Sequence, residues 1–196
     1  EDPVEYNLPG INQVQIHEEI GLTFAHVLRA VLRQDPDIIL VGEIRDAETA
    51  EIAIKAALTG HLVLSTLHTN DAPGTVNRLI QMGIEPYLIS SALTLVVAQR
   101  LVRKVCPRCK TPLSPPEAAY RSLGIVSGEP GTAALYRGTG CRDCNNTGFK
   151  GRVAIYEVLF INEQSRELIL KGASLSDFKK EAMRSGMSSL RDSAVK

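Results

Sequence analysis

Tryptophan is absent, and phenylalanine and tyrosine bring the aromatic content to only 5%. Few flat rings are therefore available for nucleic-acid bases to stack on. No apolar run approaches the ~18 residues of a membrane-spanning helix. Charge of either sign is not in excess: 22 Lys and Arg balance 22 Asp and Glu. The global positive field of a protein that lives on nucleic acid is thus missing, although a local patch remains possible. No internal repeat or low-complexity tract occurs, which excludes solenoids and fibrous chains. No basic, apolar and small-residue signal segment opens the sequence, so a soluble protein of a reducing cytosol is expected. No Gly-Lys dipeptide occurs anywhere, so the G-x-x-x-x-G-K-[ST] loop that wraps nucleotide phosphates is absent.

What is present suits one or two globular domains: 196 residues, 44% hydrophobic and 22% charged. The first hundred residues alternate strand-length apolar runs with amphipathic helices, the pattern of an α/β domain with a mostly parallel sheet. Thr23 can cap a helix in which Phe24, Val27, Leu28, Val31 and Leu32 share a face. Arg29 and Arg33 fall on the opposite face, one turn apart. Asp35-Pro36 stops that helix, and Ile38 to Val41 reads as a short buried strand ending at Gly42. A helix is predicted from Asp46 to a Gly60 terminator, then a strand from Leu62 to Leu67. Two further helices, Gly74 to Met82 and Pro86 to Ala98, follow on either side of Gly83. From Val153 one strand reaches Leu159, followed by two or three short helices. Three parts result: residues 1–104, 105–152 and 153–196.

All four cysteines fall in two C-x-x-C pairs, Cys106 with Cys109 and Cys141 with Cys144. The segment around them is rich in proline and glycine and too poor in apolar surface to hold itself together without a staple. Four thiolates can surround one Zn(II) tetrahedrally, and a shell closed by four sulfurs points to a structural rather than a catalytic metal. A redox role fits poorly, because neither pair sits in a thioredoxin-like βαβ setting. Arg100, Arg103, Lys104, Arg108 and Lys110 form a basic stretch beside the first pair. Without aromatics, five such charges suit solvent or a protein partner better than a nucleic-acid track.

Three polar clusters can carry chemistry. Glu43 and Asp46 follow the strand Ile38 to Val41, at the carboxyl edge where open α/β sheets bind ligands. A carboxylate there can hold Mg(II), although the same residues also suit a strand end and a helix start. Glu1, Asp2 and Glu5 form a second cluster around Pro3, and taken alone they read as a solvated acidic stretch before they read as a site. His61 and His68 flank the strand beginning at Leu62. A strand ending in Ser, Thr, His and Asn can sense a phosphate through neutral donors, yet a lone histidine at such a place is often merely hydrogen-bonded.

Taken together, EDPVEY, LRAVLRQDPDIILVGEIRDAETAEIAIKAALTGH and LVLSTLHTNDA closely resemble the aspartate box, second Walker motif and histidine box of the secretion ATPases. The likeness is to the subgroup that powers type II secretion and type IV pilus assembly. It continues through QRLVRKVCPRC, the CRDC pair and GRVAIYEVL, so it covers nearly the whole chain.

The resemblance implies part of a RecA-like P-loop ATPase core, then a tetracysteine zinc-binding subdomain and a small, mostly helical C-terminal subdomain. By position, Glu43 resembles the Walker-type glutamate near Mg(II), with Gly42 where many P-loop enzymes carry Asp. Glu5 resembles the glutamate that orients the hydrolytic water, with Glu1 and Asp2 in the same box. His68 resembles the histidine that senses phosphate, while His61 reads as structural. Arg29 and Arg33 resemble the pair that reaches a nucleotide across a subunit boundary. ATP and Mg(II) are the implied ligands of the whole enzyme, and Zn(II) that of the cysteines. The implied assembly is a homo-hexamer at the cytoplasmic face of a bacterial inner membrane. There it would meet platform and cytoplasmic-domain proteins of the secretion or pilus machine. Because the phosphate loop lies upstream of the aspartate box in the family, the chain is expected to be a C-terminal fragment, inactive alone. Its sheet would lack strands and expose apolar surface. The rival reading is a zinc-dependent nucleic-acid-binding module, against which stand the balanced charge and scarce aromatics. A retraction ATPase is a third reading, expected to match only as far as the histidine box.

Overall fold

In the computed structural model, which describes residues 1–113 and 135–195, helices begin where the preceding polar side chain accepts a backbone N–H. Thr23 accepts from His26 and opens α1 (Phe24–Val31). Asp46 accepts from Thr49 and opens α2 (Ala47–Leu58). Asp71 accepts from Gly74 and opens α3 (Ala72–Gln81), whereas α4 (Pro86–Ala92) starts with proline in its first turn. Asn162 and Ser174 do the same for α5 (Glu163–Leu170) and α6 (Leu175–Arg184). Each such cap contributes about 1 kcal/mol by satisfying a donor that the helix cannot.

Two compact units result. The first comprises Glu1–Ala98 and Val158–Met187 and holds the main hydrophobic cluster. Within it α1 packs on α2, α2 on α4, α4 on α5, and α6 on both α3 and α5. The buried stripe of α2 is Thr49, Ala50, Ala53 and Ala56, small side chains that let the neighbouring helices come close. Strands β1 (Ile38–Val41) and β2 (Leu62–Ser65) pair in parallel, Ile38 opposite Leu62 and Val41 opposite Ser65. Ile39 and Val41 point into the core, but Ile38, Leu40, Leu62 and Leu64 are exposed on the other face. The strand expected to be buried is therefore buried on one face only, and its other face is exposed apolar surface.

The second unit comprises Gln99–Glu157 and Ser188–Lys196. Strands β3 (Leu95–Val105) and β6 (Phe149–Phe160) pair with each other and run from one unit into the other. Strands β4 (Lys110–Leu113) and β5 (Leu135–Gly138) form an antiparallel pair. The hydrophobic cluster of this unit consists of the cysteines. Helix α7 (Leu190–Val195) begins where the Leu190 N–H donates to the buried Glu157 carboxylate.

Two expectations are corrected. Among the described residues the strands pair only in twos, and the parallel sheet is β1 with β2, so the mostly parallel sheet reduces to two strands. The helix expected over Pro86 to Ala98 stops at Ala92, and Leu95 opens a strand. Val96 and Val97 favour extended backbone, and pairing with β6 supplies the hydrogen bonds a helix would otherwise have made.

Candidate functional site

Because β1 and β2 are parallel, both carboxyl ends lie at one edge, and the segments that leave them are neighbours. The Ile44 N–H donates to the Thr66 carbonyl at 3.0 Å, and Thr66 Oγ1 donates to the Gly42 carbonyl at 2.7 Å. These bonds hold residues 42–46 against residues 66–68. Glu43 and His68, 25 positions apart, consequently meet: His68 Nε2 lies 3.0 Å from Glu43 Oε2. The other oxygen, Oε1, accepts from Arg45 Nη2 at 2.5 Å. The Glu43 side chain is 16% exposed and that of His68 is 88% exposed. The Arg45 hydrogen bond, aided by His68, outweighs partial burial and holds the Glu43 carboxyl below its ordinary range.

The acidic box reaches the same edge. Asp2 Oδ2 pairs with Arg45 Nη1 at 3.5 Å. The Glu1 carbonyl accepts from Ile16 at 2.9 Å, and its carboxylate from Gln13 at 3.3 Å. A Cβ placed on Gly42 would come within 3.4 Å of the Glu1 Cα and 3.7 Å of the Phe24 ring, so a glycine there admits the box to the strand end. Glu5 is exposed and makes no hydrogen bond or ion pair among the described residues. Arg29 Nη2 is held at 2.6 Å by Glu48 in the first turn of α2, and Arg33 Nη1 donates to the Arg29 carbonyl. Among the described residues neither arginine contacts Glu43, Arg45 or His68. His61 Nδ1 lies 3.0 Å from the Ala56 carbonyl and 3.2 Å from Thr59 Oγ1, so it finishes α2 rather than facing the edge.

The structure thus brings Glu43, His68 and Asp2 to one place, with Glu1 beside Gly42, and leaves Glu5, Arg29 and Arg33 outside that cluster. Sequence reasoning missed Arg45 and Thr66. Arg45 was legible, since residues two apart in extended chain project to one side. Thr66 gave no signal, because its role depends on the register of β2 beside β1. The donor set at the edge, carboxylate oxygens with an imidazole and a guanidinium, has the hard-oxygen chemistry that suits Mg(II) and phosphate.

A second site lies in the other unit. The four cysteines are unpaired by disulfides, and their sulfurs all lie within 4.8 Å of one another. Cys106 and Cys141 are 3.9 Å apart, as are Cys109 and Cys144, and Cys141 and Cys144 are 3.7 Å apart. Sulfurs placed tetrahedrally ~2.3 Å from a metal are separated by about 3.8 Å, so the cluster fits a four-sulfur metal site. Burial raises the Cys144 thiol, but the N–H groups of Cys141 and Gly148 and the neighbouring thiols outweigh it and bring it down to about 6. Burial and the adjoining thiols push Cys109 up to about 11. The Gly138 and Gly148 backbones face each other so closely that a Cβ on either would overlap the other.

A family model described as "Type II/IV secretion system protein" matches residues 1–196. The chain belongs to this family. It is 59% identical to the type IV pilus assembly ATPase PilB of Myxococcus xanthus, over 100% of this chain and 35% of that protein. It is 52% identical to the type II secretion system protein E of Pseudomonas aeruginosa, over 98% of this chain and 38% of that one. The chain spans about a third of the length of these relatives. The structure of the pilus retraction motor PilT with bound ADP superposes with a TM-score of 0.60 at 29% identity, covering 100% of this chain and 51% of that one. The span of that match runs past the histidine box. The ATPase DotB of Legionella pneumophila gives 0.62 at 25% identity, over 96% of this chain and 43% of that one.

Proposed function

We propose that this chain is the portion of a hexameric motor ATPase that carries the metal-side carboxylates and the phosphate-sensing histidine, within a RecA-like core. The observation that carries the reading is the contact between Glu43 and His68 at the carboxyl edge of β1 and β2, with Asp2 joined to it through Arg45. The motor drives type IV pilus assembly or type II secretion from the cytoplasmic face of the inner membrane, where its partners are platform and cytoplasmic-domain proteins.

In this reading bound Mg(II) supplies positive charge to the phosphates of ATP. Glu43 holds the metal side, directly or through water. Glu5 orients the attacking water as the general base. His68, largely exposed, exchanges its contact with Glu43 for a phosphate oxygen. Glu1 and Asp2 add negative charge near the metal, and Arg29 and Arg33 serve a neighbouring subunit's nucleotide, where a fork of permanent charge grips phosphate. Cys106, Cys109, Cys141 and Cys144 hold a structural Zn(II) in the subdomain of residues 105–152, followed by a small subdomain over 153–196.

The test is turnover by the longer protein that also carries the phosphate-binding loop. Glu43→Gln is expected to keep ATP binding and lose phosphate release by about 10²-fold or more. Wild-type turnover by that variant would refute the reading.

A further inference from the structure

Arg45 stands at a junction no other described side chain shares. One end of its guanidinium, Nη2, holds Glu43 from the strand end, and the other, Nη1, holds Asp2 from the acidic box. The arginine is half exposed, at 51%. Ion pairs so exposed add little to stability. What such a contact does supply is orientation. A glutamate side chain has three rotatable bonds, and a single partner leaves the carboxylate free to swing. Glu43 has a partner on each oxygen, and the two partners differ. His68 is 88% exposed and comes from another segment, so it can leave. Arg45 is only two residues away on a loop tied down by the Ile44 and Thr66 bonds, so it stays in reach.

We propose that Arg45 is the positioning residue of this site: it fixes Glu43 through Oε1 and draws Asp2 of the acidic box onto the same edge, leaving Oε2 to exchange partners. The assignment rests on the reading of Glu43 given above. It also explains why an arginine occupies the position. Its two Nη groups diverge and can hold two carboxylates at once, whereas a lysine is a point charge on a flexible stem. A cation between Glu43 and Asp2 moreover offsets the repulsion between two carboxylates that share one edge.

The test compares Arg45→Ala, Arg45→Lys, Glu43→Gln and the double variant Glu43→Gln/Arg45→Ala in the longer, loop-bearing protein, measuring kcat and KM for ATP. A misplacement of about 1 Å costs on the order of 10²-fold. Arg45→Ala is accordingly expected to lower kcat by about that factor while KM changes less than about threefold. Arg45→Lys, which keeps a donor for Glu43 but cannot span to Asp2, should recover part of the loss. Because Arg45 acts through Glu43, the double variant should match Glu43→Gln to within about twofold. An unimpaired Arg45→Ala, or losses that multiply in the double variant, would overturn the assignment while leaving the role of Glu43 standing. Normal turnover by Glu43→Gln would remove the reading of the site and the assignment together. A variant damaged in folding would be recognised by weakened nucleotide binding with no recovery in Arg45→Lys, and that pattern also counts against the proposal.

Discussion

Replacing Cys141 with serine tests the second site most directly. The S···S separations of 3.7–3.9 Å match the edge of about 3.8 Å that four sulfurs adopt around a zinc-sized ion. The hydrophobic cluster described for this unit is made of the cysteines themselves, so in the proposed reading a metal held by them would supply most of what orders the segment. Structural zinc sites contribute on the order of 10–16 kcal/mol at neutral pH. Shared over four ligands, one thiolate accounts for about 2.5–4 kcal/mol, which converts to ~10²–10³-fold in metal affinity at about 1.4 kcal/mol per decade. Native mass spectrometry should find one metal per chain in the wild type. Competition with a chromophoric chelator should show the predicted loss for Cys141→Ser. Hydrogen exchange should rise over 105–113 and 135–152 and stay unchanged in the helices of the first unit. A metal-free protein with full protection over those residues would refute the reasoning, as would a Cys141→Ser variant that binds metal as tightly as the wild type.

In the longer protein, Glu5→Gln should retain ATP binding and lose turnover if, as proposed, it removes the water-orienting charge and leaves the phosphate grip; equilibrium nucleotide binding alongside phosphate release checks both halves. In assemblies mixed from wild-type and Arg33→Ala subunits, turnover should fall at wild-type sites next to mutant ones, and a loss confined to the mutant's own site would show that the arginines act within one subunit. Asp71→Ala should destabilise the first unit by about 1–2 kcal/mol, because Asp71 caps α3 and pairs with Lys179 at 2.9 Å. Burial opposes but does not cancel the lowering of its pKa by Lys179 and Gly74. The stabilisation is therefore complete above about pH 3.8, the ordinary value, and is lost as pH falls through the lower folded one. Denaturant midpoints at pH 7 and pH 2.5 should differ for the wild type by more than for Asp71→Ala.

What could be read from the sequence was whatever depends on local spacing. Thr23 and Asp46 marked helix starts because a cap is decided within three residues. The four cysteines announced a common site because two C-x-x-C pairs carry their geometry with them. The extent of β3 was not legible in the same way: Pro86 to Ala98 has helical periodicity, and only the pairing of β3 with β6, more than forty residues on, turns Leu95–Val105 into a strand. The site lies between these cases. Glu43 and His68 could each be placed at a strand end, but that they touch follows from a register, Val41 opposite Ser65, that no local pattern encodes. Arg45 shows the cost of reading motifs as lists of acids. It stands two residues beyond Glu43 and was given no role, yet in the proposed reading a carboxylate that is to be both charged and oriented needs a cation within reach. The parallel pair supplies only the platform, and the guanidinium joins the two acidic clusters on it.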